Sequence, residues 1–289
     1  MKKIIIAILF LTCLYRFGFA QQLETFEENG KYGVMETGTG KVIAPAKYDE
    51  IYVFSEGMAI VSVEELYGYI DKTGKEVIPL QYTEANSFSE GLGCVYNGTS
   101  WGYIDKTGKA VLPFEYEEGN PFSEGLAFVS KGGYYGAIDK TGKAVIPFTY
   151  DYGMSFSQGL AVVEKEGYSG VIDMRGNMVV PMKYLEIDDF SQGLAGVNKD
   201  NKWGFINRQG VEVIKPEYDY AFPFSEGFAG VMIADKGGYI DLQGNIVIPL
   251  IYDKLGMFTQ GFSLIEMNGR QFYIDRRGNC VEHDGIPCK

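Results

Sequence analysis

Residues 122–156 read FSEGLAFVSKGGYYGAIDKTGKAVIPFTYDYGMSF, and this stretch recurs along the chain with a period of 34 residues. The motif Phe-Ser/Thr-Glu/Gln-Gly begins at Phe54, Phe88, Phe122, Phe156, Phe190, Phe224 and Phe258. A tyrosine follows the same period at Tyr48, Tyr82, Tyr116, Tyr150, Tyr184, Tyr218 and Tyr252. Such self-similarity indicates a tandem-repeat protein. The periodic Phe and Tyr side chains are predicted to form its core between neighbouring units.

Glycine and proline decide between helices and strands, because a period of 34 residues is also typical of tetratricopeptide helix pairs. Each unit has glycines at fixed places, such as Gly136 and Gly142, and most units have a proline such as Pro147. Inside a helix a glycine costs about 1 kcal/mol and a proline about 3 kcal/mol. The segments between them are short and rich in Val, Ile, Tyr and Phe. We therefore expect an all-β fold with about three short antiparallel strands in each repeat.

Turn chemistry places the hairpin within each repeat. Asp-Lys-Thr-Gly occurs at 71–74, 105–108 and 139–142. Asp in the first position and Gly in the fourth are typical of a type I turn, which would join the second and third strands. Gly102, beside Trp101, leaves room for another backbone or ring to lie close. Pro113 is predicted to end the third strand because it lacks an amide donor.

The arrangement of the repeats has two possible forms. Leu23 to Gly33 aligns with Leu126 to Gly136, so the repeats start at a first strand and end with a degenerate third strand near Cys280. Closed propellers often split a blade between the two termini, and their blades usually have four strands in longer units. These differences favour an open superhelical β-array, or solenoid, of eight units. A closed β-propeller with seven or eight blades is the alternative.

The N-terminal residues are typical of an export signal. Met1-Lys2-Lys3 precedes an apolar run, and Gly18 and Ala20 stand where a signal peptidase needs small residues. We expect residues 1–20 to be a cleaved signal peptide, which implies a secreted, periplasmic or cell-surface protein. The alternative is a lipoprotein anchored through Cys13, which follows a loose lipobox. Residues 21–280 are predicted to be a single repeat domain, followed by a C-terminal tail at 281–289.

Charge and cysteines restrict the partners and the tail. The chain has 26 basic and 38 acidic residues, a net charge of −12. Such an acidic surface disfavours nucleic acid and anionic membranes, and no stretch after the signal approaches the roughly 20 apolar residues of a membrane helix. Cys280 and Cys288 are close enough in sequence to staple the tail. Cys94, in a strand, is expected to be buried as a small hydrophobic residue.

The repeated residues resemble the WG-repeat, or KWG-type, bacterial repeat proteins. The resemblance rests on Lys202-Trp203-Gly204, Trp101-Gly102, the Val-Ile-Pro segment, Tyr48-Asp49 and the Phe-Ser-Glu-Gly connector, and it covers almost the whole chain after the signal. Most units replace the signature tryptophan with tyrosine, as at Tyr67 and Tyr135, or lose it, as at Ser169 and Gly237. The resemblance implies a secreted or surface-associated bacterial protein without an assigned active site.

The sequence offers little support for metal binding or catalysis. Repeated acids could make stacked calcium sites, and they occur at Asp71, Asp105, Asp139, Asp173, Asp241, Glu56, Glu90 and Glu124. Asn207 and Gln158 interrupt both series, and each unit offers only about one acid of each kind. The single histidine, His283, lies in the tail, where a solvated side chain is the usual case. We expect no catalytic residue, no metal ion, no cofactor and no enzymatic activity.

A binding surface is sought where the repeats differ, because the shared positions are explained by packing. The most variable positions lie in the connectors, in the few residues before each repeated phenylalanine: Tyr52, Asn86, Asn120, Tyr152, Asp188, Phe222 and Leu255. The sequence therefore predicts a non-catalytic protein- or glycan-binding or scaffolding module at the bacterial cell envelope. A structural spacer and a carbohydrate-active enzyme with a pair of carboxylates remain as alternatives.

Overall fold

The computed structural model describes residues 22–288, and every regular element in that range is a β-strand. The signal sequence and Cys13 lie outside the described residues. The described residues form two compact units, the first ending at Gln81 and the second beginning at Tyr82. The all-β, tandem-repeat prediction is confirmed.

The first unit contains two antiparallel sheets. The first has three strands, β1 (Leu23–Glu28), β2 (Lys31–Glu36) and β3 (Val42–Tyr48). The second has four strands, β4 (Glu50–Ile51), β5 (Met58–Val63), β6 (Leu66–Asp71) and β7 (Glu76–Tyr82), of which Tyr82 already belongs to the second unit. The strands of each sheet follow one another in chain order, so each sheet is a simple meander.

The second unit contains six four-stranded meanders of the same kind. Their strands, in chain order, are β8 (Glu84–Ala85), β9 (Gly93–Tyr96), β10 (Trp101–Ile104), β11 (Ala110–Tyr116); β12 (Glu118–Gly119), β13 (Leu126–Lys131), β14 (Tyr134–Asp139), β15 (Ala144–Tyr150); β16 (Tyr152–Gly153), β17 (Leu160–Lys165), β18 (Tyr168–Asp173), β19 (Met178–Tyr184); β20 (Glu186–Ile187), β21 (Leu194–Lys199), β22 (Lys202–Asn207), β23 (Glu212–Tyr218); β24 (Tyr220–Ala221), β25 (Phe228–Ile233), β26 (Lys236–Asp241), β27 (Ile246–Tyr252); β28 (Lys254–Leu255), β29 (Phe262–Met267), β30 (Arg270–Asp275), β31 (Cys280–Val281).

The connectors add a fourth strand to the three that the sequence predicts. This two-residue strand starts each later sheet and pairs with the strand after it, as Glu118 and Gly119 do with Ser130 and Val129. Four-stranded sheets are the blade type of β-propellers. Strand number therefore no longer favours the open superhelical array over the closed propeller, and both arrangements stay predictions.

In the first seven repeats the third strand runs through its proline, so the expectation that proline ends the strand is wrong. In β11, Tyr116 still pairs with Trp101, three residues beyond Pro113. The register shifts between Trp101 and Tyr103, which marks a β-bulge opposite Gly102. A bulge leaves residues without a ladder partner and so tolerates a missing amide donor. The bulged segment lies on Gly102, where an added Cβ would be 2.8 Å from the Phe114 ring, as the glycine interpretation predicts.

The Asp-Lys-Thr-Gly turns adopt the predicted conformation. Asp105 Oδ1 accepts hydrogen bonds from Thr107 N at 2.8 Å, Thr107 Oγ1 at 2.6 Å and Lys109 N at 3.1 Å. Gly108 N donates to Asp105 O at 2.9 Å, and Gly108 has a φ of +84°. The repeated aspartates therefore cap backbone amides. The turn prediction is confirmed.

Gly108→Val is expected to destabilise the protein by more than about 1 kcal/mol, because a β-branched residue is strained at positive φ. Gly108→Asn is the matched control, since asparagine tolerates this region best among non-glycine residues and should cost less. The midpoint of urea unfolding measures both variants. Equal midpoints for Gly108→Val and the wild type would contradict the turn assignment.

The periodic aromatic residues form the core between neighbouring sheets, as predicted. Fully buried rings include Tyr48 in the first unit and Phe122, Phe156, Tyr184 and Phe258 in the second. Within the second unit, connector phenylalanines contact the preceding sheet, as Phe122 does with Tyr103 at a centroid distance of 4.9 Å. Phe54 and Phe190 are only half-buried.

The residue at the signature tryptophan position packs against one residue of the short strand that follows, and the sizes of these two residues are complementary. Trp101 is buried against Gly119, where an added Cβ would lie 2.9 Å from Trp101 Cβ. In the unit that has Gly237 instead, Leu255 fills the space, and an added Cβ on Gly237 would lie 2.7 Å from Leu255 Cδ1. The loss of tryptophan is thus a change of packing partners.

The C-terminal tail packs against the last sheet. The ring of His283 stacks on Phe262 at 4.5 Å and meets Tyr273 edge-on at 4.8 Å. These two positions are the 34-residue equivalents of Phe228 and Tyr239, which contact Phe258. His283 therefore takes the place of a connector phenylalanine, with a side chain that is 31% exposed and so half-buried rather than fully solvated. Cys280 and Cys288 form a disulfide across this turn, and Cys94 is buried and free.

Candidate functional site

Two repeated hydrogen bonds join successive connectors of the second unit. Ser89 Oγ donates to Phe122 O at 2.6 Å, and the carboxylate of Glu90 accepts from Gly125 N at 3.0 Å. The serine bond recurs from Ser123 to Phe156, Ser191 to Phe224 and Ser225 to Phe258. The second bond recurs from Gly159 to Glu124, Gly227 to Gln192 and Gly261 to Glu226. The serine and the acid of the motif are thus structural.

One junction of the second unit lacks both bonds. Within residues 82–288, Ser157 makes no hydrogen bond to Phe190, and Gln158 makes none to Gly193. Gln158 Oε1 instead accepts a hydrogen bond from Arg208 at 2.9 Å. The guanidinium of Arg208 lies 5.6 Å from the centroid of the Phe190 ring. The connector that contains Phe190 is therefore displaced from the regular arrangement.

A polar cleft of about 450 Å³ opens at this irregular junction. Its lining residues are Asn120, Ser123, Tyr152, Gly153, Met154, Ser155, Phe156, Ser157 and Asp189. Ser155, Ser157 and Asp189 also border a small, deeper cavity beside Leu160 and Phe190. Among the described residues, none of the side chains of Ser155, Ser157 and Asp189 has a hydrogen-bond or ion-pair partner. Their polar atoms are available to a ligand.

The size of one cross-strand pair explains why the connector is displaced here. Tyr103 and Tyr239 each pair with a smaller residue and donate their hydroxyls to the following connector, to Asn120 O at 2.7 Å and Gly256 O at 2.9 Å. The corresponding pair at the irregular junction is Val162 with Val171, which has no aromatic ring. The pairs Phe128 with Ala137 and Gly196 with Phe205, at regular junctions, have a ring but no hydroxyl, so the ring volume is the difference. Both valines line the deeper cavity.

Asp188 is a half-buried carboxylate in the displaced connector. It lies over Gly196, where an added Cβ would be 2.4 Å from Asp188 Oδ2. Burial raises the pKa of Asp188 to about 6, and the nearby charges of Glu186 and Asp189 act in the same direction. Two buried polar atoms have no hydrogen-bond partner within residues 22–288: Ser169 Oγ and Asn198 Oδ1. Ser169 pairs with Tyr184 of β19, and Asn198 pairs with Glu186 of β20.

Asp188→Asn is expected to stabilise the protein at pH 7 to 8 by about 1–2 kcal/mol, after allowance for solvent screening. The pKa is raised in the folded state, so the cost of ionising Asp188 begins near its ordinary value of 3.8 and is complete above about pH 6. The gain should therefore vanish at pH 4. Thermal melts at both pH values measure it. Asp200→Asn, in an exposed turn, is the control, and an equal effect of Asp188→Asn at both pH values would contradict the prediction.

The predicted binding-surface residues are distributed over several environments. Asn120 and Tyr152 line the cleft, Asp188 is next to the lining residue Asp189, and Tyr52 lines a separate cavity in the first unit. Three others are half-buried: Asn86, Phe222 on Gly230, and Leu255 on Gly237. Their role in binding stays a prediction.

Sequence reasoning missed three residues of the cleft, Ser155, Ser157 and Asp189. Asp189 carries a signal, since it is the only acid at the position directly before a repeated phenylalanine, where the others are Val53, Ser87, Pro121, Ser155, Pro223 and Met257. Ser157 looks like its sibling serines in the sequence. Its available hydroxyl becomes visible only in the structure.

The cavity of the first unit has a volume of about 530 Å³ and a more apolar lining that includes Leu23, Val34, Ile51 and Phe54. It forms beside Thr25 and Val34, another small cross-strand pair. Its rim includes Gln22, where the described part of the chain begins. The cleft of the second unit lies at the junction that lacks the connector hydrogen bonds and is therefore the candidate site.

The side chains of the described range are not clustered for metal binding. No group of three or more His, Cys, Asp or Glu side chains there could hold an ion. Among residues 22–288 there is also no helix that is long and apolar enough to cross a membrane. The turn aspartates and connector glutamates considered as calcium ligands bind backbone amides instead, as Asp105 and Glu90 do.

A family model described as the WG-containing repeat matches this chain in seven tandem segments, 32–67, 67–98, 101–135, 135–168, 170–203, 203–236 and 238–270. The chain belongs to the WG-repeat family. Its repeats form a repeat module. No curated protein matches the sequence.

Solved structures similar to this WG-repeat protein are propeller-like proteins. A eukaryotic initiation factor is 12% identical with a TM-score of 0.58, over 91% of this chain and 84% of that one. Dihydro-heme d1 dehydrogenase NirN is 13% identical with a TM-score of 0.46, over 90% and 72%. Hsv2p of Kluyveromyces lactis is 10% identical with a TM-score of 0.43, over 78% and 92%. At 12% identity the first likeness shows the fold alone.

The remaining signature residues of the WG repeat have structural roles. Lys202, before Trp203, forms an ion pair with Asp219 of the Tyr-Asp dipeptide. The other oxygen of Asp219 accepts a hydrogen bond at 2.8 Å from Ala234 N, in the turn of the next sheet. Lys31 and Asp49 make the same pair at 2.5 Å in the first unit. In these repeats the motif thus links one sheet to the hairpin of the following one.

Proposed function

We propose that this WG-repeat protein is a non-catalytic binding module of the bacterial cell envelope and that the polar cleft between residues 120 and 189 is its binding site. The observation that carries the proposal is the interruption of the connector hydrogen bonds at Ser157 and Phe190. The other junctions between phenylalanine connectors of the second unit use their serine and their Glu or Gln to hold the next repeat. Among the junctions between phenylalanine connectors in the described residues 82–288, only this one lacks both bonds, and the cleft opens beside it.

The chemistry of the cleft favours binding over catalysis. Nucleophilic catalysis needs a base within hydrogen-bond reach of the nucleophile, at roughly 2.6–3.2 Å. Ser155 and Ser157 have no such partner among the described residues, and His283 packs in the tail. Hydroxyls, an amide and one carboxylate around a small cavity are instead the usual components of a recognition site.

A cross-linked pull-down from the envelope of the producing cell tests the proposal. The bait is residues 21–289, and Ser155→Trp is the variant that fills the mouth of the cleft. Ser87→Trp is the matched control, because Ser87 is the exposed residue at the same position of another connector. We expect a saturable partner that is lost with Ser155→Trp and kept with Ser87→Trp. A partner kept by both variants, or no partner at all, would favour a structural spacer or another surface.

Export is part of the same proposal, with cleavage after Ala20 supported by the basic start, the short apolar run and Gly18. N-terminal sequencing of the protein recovered from cell fractions should begin at Gln21. A mature protein that begins at Cys13 and carries lipid would contradict cleavage after Ala20 and would identify a lipoprotein.

A further inference from the structure

The polar side chains of the cleft suit a ligand rich in hydroxyl groups. Asp189 supplies a carboxylate acceptor, and Ser155 and Ser157 supply hydroxyls that both donate and accept. Asn120 also lines the cleft, with its Nδ2 donating to Phe128 O at 3.2 Å. Only one carboxylate lines the cleft, among neutral donors and acceptors. A cation site would place several carboxylates together, as in calcium sites. This set instead matches adjacent sugar hydroxyls, which need a donor and an acceptor side by side.

An exposed aromatic ring lies at the rim of the same cleft. Tyr152 is 43% exposed and is held edge-on against Tyr135 at a centroid distance of 5.4 Å. A ring held on one side and free on the other offers an apolar face to the C–H face of a sugar. The lining of the cleft thus provides polar groups for hydroxyls and a ring for the apolar face.

Charge and size narrow the ligand further. Glu186, Asp188 and Asp189 lie in one connector, and the whole chain has a net charge of −12, so anionic polymers are repelled. A volume of about 450 Å³ lies within the range of small-molecule sites, roughly 300–1,000 Å³. We propose that the cleft binds a neutral saccharide of one or two rings, with Tyr152 stacked on a ring and Asp189, Ser155 and Ser157 bound to its hydroxyls. This inference rests on the proposed function.

Isothermal titration of residues 21–289 with neutral disaccharides tests the ligand class. The probes are cellobiose, maltose, lactose and the dimer of N-acetylglucosamine, with polygalacturonate as the anionic probe and a lysine-rich peptide as the cationic one. We expect one neutral disaccharide to bind with a single site per chain. Binding of only the peptide or the anionic polymer would overturn the inference.

Matched variants locate the ligand. Asp189→Asn and Tyr152→Ala should each raise the Kd of the bound disaccharide by about tenfold, the loss expected for a hydrogen bond to a charged group or a stacked ring. Asp200→Asn and Tyr168→Ala are the controls, because both residues are exposed at hairpin turns away from the cleft. Equal Kd values for Asp189→Asn and wild type would overturn the site, even if the sugar binds elsewhere.

The pull-down separates the two proposals. Loss of an envelope protein with Ser155→Trp, together with no binding of any disaccharide, would keep the cleft as a binding site and overturn the saccharide. Failure of both experiments would remove the proposed function as well.

Discussion

Gly204→Ala is expected to lower the free energy of unfolding by about 3 kcal/mol or more, because a single methyl group would overlap backbone atoms. A Cβ on Gly204 would lie 2.5 Å from Ile214 O, 2.5 Å from Pro216 N and 2.7 Å from Lys215 C. These atoms belong to the bulge of β23, which cannot move aside without breaking its pairing with β22. Urea unfolding monitored by tryptophan fluorescence measures the change.

Gly93→Ala is the matched control for Gly204→Ala. Gly93 also lies in a strand, but an added Cβ would meet only the Phe88 ring, at 3.0 Å. The equivalent residue is alanine in five other repeats: Ala59, Ala127, Ala161, Ala195 and Ala229. We expect a change of less than about 1 kcal/mol, since the ring can shift and a strand glycine is replaced. Equal losses for the two variants would show that the bulge is not what requires glycine.

Gly237→Trp, which restores the signature tryptophan, is expected to destabilise the protein by about 3 kcal/mol through overpacking against Leu255. Leu255→Gly alone should also cost roughly 2–4 kcal/mol, because it leaves a cavity. Combined, the two changes recreate the arrangement of Trp101 and Gly119, so the double variant should be more stable than the sum of the losses by at least about 1 kcal/mol.

The control for this pair is Gly237→Trp combined with Leu185→Gly, in which the second change removes an exposed leucine of another connector. The effects of those two changes should simply add. Additive losses for Gly237→Trp and Leu255→Gly would mean that size matching across the repeat boundary does not explain the lost tryptophan.

Local chemistry made much of the fold predictable. The period, the strand composition, the capped Asp-Lys-Thr-Gly turns and the buried Phe and Tyr residues all follow from one repeat. The two-residue strand was missed because its pairing is with the next sheet and its length gives no periodic signal. The continuation past Pro113 was missed because a bulge is a relation between two strands, which Gly102 alone does not reveal.

The cleft was harder to predict because it depends on an aromatic ring that one repeat lacks. Asn120 and Tyr152 were found as variable connector positions, and both line it. Ser157 stands in the same Phe-Ser-Gln-Gly-Leu motif as Ser191, which makes the regular bond, and the Val162–Val171 pair beneath the connector distinguishes its surroundings. A missing ring in one strand thus frees a hydroxyl in another segment.

The match between Trp101 and Gly119, and between Gly237 and Leu255, joins residues on opposite sides of a repeat boundary. If whole repeats were shuffled by recombination, each crossover between the third strand and the next short strand would separate such partners. A crossover within the hairpin turn, between the second and third strands, would also separate the two partners. A crossover just before the signature position would keep both partners on the same exchanged segment. Such recombination therefore favours one crossover position. The unit that can be exchanged intact runs from one signature residue, across the repeat boundary, to the short strand that packs against that residue.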